Sequence, residues 1–240
     1  MALFRRKKKN QEDEATTTPE SGAQPSTSQQ DEAAEAESAE PKHGPYDSSE
    51  RDASKGYIDL GPLKVPAIAG LQLQPQFAPD KKSINRLNIV VGNSVLQILV
   101  AAGPKSGGGW KQILTGTEES FKKQGAEVTH NENGPWGEEL LVKVPVKTAD
   151  GRPAVAPSRI IGMDGDRWIL RVDIIGGAVV DEKAFQAVAT IINNLIVERD
   201  SAPRPPLSII PMTIPEDLIQ QQEQAQQGQA QQGQSPQGQK

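Results

Sequence analysis

The residues whose reading decides the fold are Glu139-Leu-Leu-Val-Lys-Val-Pro-Val-Lys147, then Asp150-Gly151, then Arg159-Ile-Ile-Gly-Met163, Asp164-Gly165 and Arg167-Trp-Ile-Leu-Arg-Val-Asp-Ile-Ile175. In the first segment Leu140, Val142, Val144 and Val146 alternate with Glu139, Lys143 and Lys147. In the last, Trp168, Leu170, Val172 and Ile174 form one face, and Arg167, Arg171 and Asp173 the other. Strict alternation places successive side chains on opposite faces of a strand. Asp-Gly suits the tight turns whose two central residues both need positive φ. Two such turns in succession predict a three-stranded antiparallel meander.

Working outward, Leu71-Gln-Leu-Gln-Pro-Gln-Phe77 has Gln at every even position, a strand with one dry face. Pro75 cannot donate to a ladder, which argues for a sheet edge. Leu87–Val91 and Val95–Ala101 are two more strands joined by a Gly92-Asn93 hairpin turn, and the second is apolar on both faces apart from Gln97. Trp110, Leu114, Thr117 and Phe121 recur at helical spacing up to Gly125. Phe185, Val188, Ala189, Ile192, Leu195 and Ile196 make a second helical stripe behind Asp181, a suitable N-cap. The order is strands, helix, meander, helix. It predicts an α+β fold: a mostly antiparallel sheet of about six strands with two packed helices, flanked by disordered tails.

The ordered part does not fill the 240 residues. Only 35% of the chain is hydrophobic and 4% aromatic, and these residues cluster in the middle. A segment without apolar residues cannot offset the roughly 1–2 kcal/mol per residue that ordering costs. Residues 1–43 therefore read as a disordered tail, with a basic head at 1–9 and an acidic linker at 10–42. The head holds Arg5, Arg6, Lys7, Lys8 and Lys9 in one run, whereas Glu12 to Glu40 contains nine acids and no base. Residues 44–200 form a single domain. Residues 201–219 are proline-punctuated but carry Leu207, Ile209, Ile210, Met212 and Ile214, as an apolar strap against the domain would; a proline-rich recruitment peptide is the alternative. Residues 220–240 are a Gln-rich tail.

Met1-Ala-Leu-Phe-Arg-Arg-Lys7, Gly44-Pro-Tyr-Asp47, Gly56-Tyr-Ile-Asp-Leu-Gly61, Pro104-Lys-Ser106 ahead of Trp110, Gly134-Pro-Trp-Gly137 and Arg167-Trp168 together resemble an uncharacterised actinobacterial family, a domain of unknown function. The resemblance runs from the start to about Pro215, sparing the acidic linker and the Gln-rich tail. It implies a cytoplasmic bacterial protein and no particular activity. It also implies phenylalanine where Trp136 stands and glycine where Val172 stands. More loosely, the order of elements resembles the PsbP-like α/β sandwich, a scaffold of several non-enzymatic accessory proteins, and fold likeness alone carries no function.

The chemistry is as informative for what it lacks. There is no cysteine, so disulfides and thiolate metal sites are excluded. Of two histidines, His43 falls in the linker and His130 beside a turn, so no imidazole pair has metal spacing. No metal, no cofactor and no catalytic residue is expected, and no enzymatic activity. No stretch approaches the roughly 20 apolar residues that span a bilayer. The start has no apolar run of the secretory kind, and Ala2 stands where myristoylation needs glycine. Asp164 and Asp166 flank Gly165 as turn residues. Gly103-Pro-Lys-Ser-Gly-Gly-Gly-Trp110 opens a helix but is not a P-loop, since Lys and Ser precede the glycines. It reads as a flexible connection with Trp110 packed beneath it. The alternative is a small anionic ligand or a partner's carboxylate held by Lys105, Ser106 and Lys111. Trp136 in Gly134-Pro-Trp-Gly137 is a loop plug or a binding anchor.

These readings converge on a cytoplasmic, non-enzymatic interaction or accessory protein with an unknown protein partner. Arg5, Arg6, Lys7, Lys8 and Lys9 suit peripheral contact with an anionic membrane surface, at about 1 kcal/mol per charge. The alternatives are an anionic-ligand or enzymatic domain built on Gly103–Trp110, and weak nucleic-acid association through residues 5–9.

Overall fold

The computed structural model describes residues 44–79, 83–213 and 215. The basic head with Arg5, Arg6, Lys7, Lys8 and Lys9, the acidic linker, Ile214 and the Gln-rich tail lie outside the described residues. In chain order the elements are β1 (Tyr46–Asp47), β2 (Tyr57–Asp59), β3 (Leu63–Pro66), β4 (Gln72–Phe77), β5 (Ile84–Val91), β6 (Ser94–Ala102), α1 (Gly109–Lys123), β7 (Glu127–Gly134), β8 (Gly137–Lys147), β9 (Pro153–Asp164), β10 (Trp168–Gly176), α2 (Glu182–Ile192) and β11 (Ile196–Val197). The fold is α+β. Seven strands form an antiparallel sheet in the order β4-β5-β6-β10-β9-β8-β7, and four short ones form a second sheet, β1-β11-β3-β2, in which β1 and β11 run parallel.

Alternation along the central strands sorts the core into two layers. Trp168, Leu170, Val172 and Ile174 of β10 face α2 and the small sheet, packing in one cluster with Phe185, Val188, Ile192, Leu63 and Val65. Ile169 turns to the other face, where Trp110 and Leu114 of α1 pack with Leu140, Val142 and Ile160. Both helices have the amphipathic stripe this requires. The Asp181 carboxylate caps α2, accepting the Ala184 N–H at 2.7 Å. This helix stops at Ile192, so Leu195 and Ile196 leave the predicted stripe and carry the chain into β11.

The strands beyond the predicted six are β7 at one edge and four of two to four residues each, too short for a hydrophobic period. β4 is the opposite edge and carries Pro75 there. Gly92-Asn93 is a two-residue hairpin turn, with Val91 paired to Ser94 and Gly92 at φ 57°.

The two Asp-Gly turns are built differently from the sequence expectation. Lys147 pairs with Pro153 across a five-residue connection, and only Gly151 has positive φ there. Between β9 and β10 the left-handed residue is Arg167, at φ 63°. Gly165 is there for another reason: a Cβ on it would strike the Trp168 indole, 2.6 Å from Cδ2.

After Asp200 the chain runs along the end of β6 and the start of β5. Leu207 N–H donates to the Ala102 carbonyl, Ile210 N–H to that of Val100, and Met212 and Ile84 exchange both backbone bonds. Ile210 and Met212 are buried in the larger core.

Candidate functional site

At one end of the seven-stranded sheet lies a cleft of about 850 Å³. Its walls come from four places: β1 with the chain on either side of it, the first turn of α1, the β7–β8 hairpin, and the β9–β10 turn. All three tryptophans of the chain border it.

Each indole is placed by a glycine, a hydrogen bond, or both. Trp110 lies against Gly162 of β9, where a Cβ would come within 2.5 Å of Cζ3, and its Nε1–H donates to the Glu138 carbonyl at 2.8 Å. Trp168 lies against Gly165 and donates to Asp47 Oδ2 at 2.8 Å. Trp136 sits in the two-residue turn that closes Gly134 onto Gly137. Its Nε1–H donates to Asn193 Oδ1 at 2.8 Å, and its ring meets Phe185 edge-on, centroids 5.9 Å apart at 67°. Phe185 is also covered by Arg159, whose guanidinium lies 4.3 Å from the ring centroid and forms a two-pronged bond to buried Glu139 at 2.6 and 2.7 Å. Trp110 and Trp168 are nearly fully buried, whereas Trp136 is half-buried and also borders a neighbouring hollow of about 190 Å³ against Phe185 and Ala189.

The lining is strongly acidic. Asp47, Glu50, Glu132, Glu138, Asp164 and Asp166 border the cleft, and Lys111 is the one cationic residue among the described residues that line it. Burial pushes the Asp47 carboxyl up, but the Ser49 backbone N–H, the Ser49 hydroxyl and the Trp168 indole outweigh this and hold it below the usual carboxylate range. The Asp164 carboxylate accepts the Trp110 backbone N–H at 3.0 and 3.2 Å, capping α1 from the end of β9. Glu138 Oε2 stands 3.3 Å from His130 Nε2 on β7. Among the described residues no group of three or more His, Cys, Asp or Glu side chains is placed to hold a metal ion.

The structure separates the residues singled out from sequence. Lys105 and Ser106 occupy an exposed turn ahead of α1 and do not border the cleft; Lys111 and Trp136 do. Gly107 and Gly108 take positive φ at 70° and 73° to bring the chain into the helix, and Asp164 supplies an anion at its start. Asp164 therefore does more than turn the chain. Asp47, Glu50, Glu132 and Glu138 were not candidates on sequence, and Asp166 read only as a neighbour of the turn, because their common feature is a place in space. Short motifs nonetheless marked the spot: Gly44-Pro-Tyr-Asp47, Trp110, Gly134-Pro-Trp-Gly137 and Arg167-Trp168 all contribute to this rim.

Fold and site thus define an α+β domain with an open, acidic, tryptophan-bordered cleft. Among the described residues no helix is long and apolar enough to cross a membrane. The chain belongs to the family described as protein of unknown function (DUF3710), whose model matches residues 44–221. Comparison with curated proteins gives no match.

Proposed function

We propose that this chain is a non-enzymatic cytoplasmic binding protein that docks a protein partner in the tryptophan-bordered cleft. In this reading Arg5, Arg6, Lys7, Lys8 and Lys9 give it a reversible hold on an anionic membrane surface. The observation that carries the reading is the cleft, which gathers half-buried Trp136 and exposed charged side chains around one concavity. Aromatic residues in partly desolvated concave surfaces are the usual anchors of protein interfaces. An anionic ligand at the start of α1 is disfavoured, because Asp164 already occupies that N–H and the surrounding carboxylates repel a second anion.

A photo-crosslinking residue at position 166, on the cleft rim, and at position 119, on the exposed surface of α1, tests the docking reading in cells of the source organism. A discrete adduct from 166 that is absent from 119 is the expected result; identical labelling from both refutes it. For the head, five Lys or Arg charges give at most about 5 kcal/mol at an anionic surface. Changing Arg5–Lys9 to Gln should abolish co-flotation with phosphatidylglycerol liposomes. Unchanged flotation rules out that contact.

A further inference from the structure

We infer that the occupant of the cleft is a Lys- or Arg-rich segment of a partner protein, bound as an extended chain. This rests on the docking reading above and adds the partner's chemistry.

Six carboxylates face one ammonium across this lining, in a chain whose net charge is only −5 over 240 residues. The concentration is local. Like charges lining one concavity repel, and two of the acids are held in place on its walls. Asp47 is tied to Ser49 and Trp168, and Asp164 to Trp110. A cationic guest relieves the repulsion and a phosphate or acidic peptide worsens it.

Trp136 makes the same choice of sign independently. Its half-buried indole borders the cleft from the β7–β8 hairpin, and aromatic faces attract ammonium and guanidinium groups. A cation that reaches the cleft therefore meets carboxylates and an indole together.

Valence and size select a peptide over a single amine. One ammonium cancels one charge and leaves most of the excess in place. A volume of about 850 Å³, at the upper end of the range for small-molecule pockets, accommodates several linked side chains. The carboxylates are also spread around the rim, from Asp47 on one wall to Glu132 on another, rather than converging on one point. A segment with several cations along an extended backbone matches that spread.

The test titrates the full chain carrying Arg5–Lys9→Gln, which takes its own polybasic run out of the ionic balance. The probes are fluorescein-labelled Lys-Arg-Lys-Arg-Lys, pentaglutamine and pentaglutamate peptides with the same label, and spermine. The cationic peptide should bind at least tenfold more tightly than pentaglutamine at 50 mM salt, and pentaglutamate should not bind. Binding of the cationic peptide should weaken about tenfold by 300 mM, as screening shortens the reach of exposed charges. Glu132→Gln with Asp166→Asn should weaken it about fivefold, whereas Glu119→Gln with Glu182→Gln, an equal loss of charge elsewhere, should leave it within twofold. Trp136→Phe, which keeps a ring against Phe185, should weaken it about threefold while far-UV circular dichroism stays unchanged.

Equal weakening by the two charge-neutralised pairs would show unspecific attraction and overturn the inference. Spermine displacing the peptide at matched concentration would overturn the peptide assignment. Tight binding of pentaglutamine that Trp136→Phe weakens would overturn the charge argument while leaving the docking reading intact. No binding of any peptide, with no adduct from position 166, would overturn both.

Discussion

Replacing Gly162 with alanine should cost about 1.5–4.5 kcal/mol of stability, because the Trp110 indole occupies the space a methyl group needs. A Cβ there would stand 2.5 Å from Cζ3, and nearer still to Cε3 and Cδ2. Comfortable carbon contacts lie at about 3.5–4.0 Å, so the ring must retreat by about 1 Å. Retreat is opposed from three directions: Nε1–H is bonded to the Glu138 carbonyl, the backbone N–H to Asp164, and the ring is packed on Leu114, Leu140 and Ile160. Overpacking of this kind costs about 1–3 kcal/mol, and stretching the indole bond adds about 0.5–1.5 kcal/mol. In a domain of this size the sum lowers the melting temperature by about 3–18 °C. Thermal unfolding followed by near-UV circular dichroism, which reports the indole environments, measures it. Gly116→Ala is the matched control, an exposed glycine in the middle of α1 with nothing within 4 Å of the added Cβ. There the helix gains about 0.8–1 kcal/mol, so the two substitutions should move the melting temperature in opposite directions. A Gly162→Ala protein melting within about 1 °C of the parent, well inside the shift that overpacking demands, would refute the packing argument.

Two further substitutions test long-range ties. Asp164→Ala removes the acceptor at the start of α1 and should cost about 0.5–2 kcal/mol, with Asp164→Asn retaining most of it; urea midpoints for the three proteins separate these cases. Met212→Ala empties a fully buried site where the chain crosses β5, and should cost about 2–5 kcal/mol. A loss below about 1 kcal/mol in urea unfolding, short of the usual cost of an emptied core site, would mean that this segment adds little to the core.

The contrast between β10 and Asp164 shows what could be read from sequence. Trp168, Leu170, Val172 and Ile174 alternate because one face of that strand is buried along its whole length, so the burial is written into neighbouring residues. The same holds for Phe185, Val188 and Ile192 on α2. Asp164 reads locally as a turn residue, yet its carboxylate serves a backbone N–H 54 residues away, and Asp47 serves an indole 121 residues away. Nothing in the residues around either acid records such a partner. Gly165 misled for a related reason. Beside Asp it satisfies the rule for a positive-φ turn, whereas its place depends on the ring of Trp168 three positions on. The cleft is assembled almost wholly from contacts of this second kind, which explains why its tryptophan motifs were visible and its carboxylates were not.

Asp47 offers the sharpest check on that assembly, because it joins β1, an edge strand of the small sheet, to the wall of the cleft. Its carboxyl is held below the ordinary value of about 3.9. The unfolded chain therefore takes up the proton first as pH falls. The stability Asp47 contributes is complete above about pH 4 and is lost as pH drops through the folded value. Asn at this position cannot titrate, so the gap in urea midpoint between the parent and Asp47→Asn should be constant from about pH 8 to pH 5 and shrink by about pH 3. Other carboxylates, such as Asp59 and Asp200, are also held low and weaken both proteins in acid, but they cancel in the difference. Trp168→Phe removes the other end of the bond. Bonds to charged acceptors are worth about 1.5–3 kcal/mol, so the double variant should recover about 1–2 kcal/mol relative to the sum of the single losses at neutral pH. Strict additivity, or a gap that persists unchanged into acid, would mean that Asp47 and Trp168 do not hold this wall together.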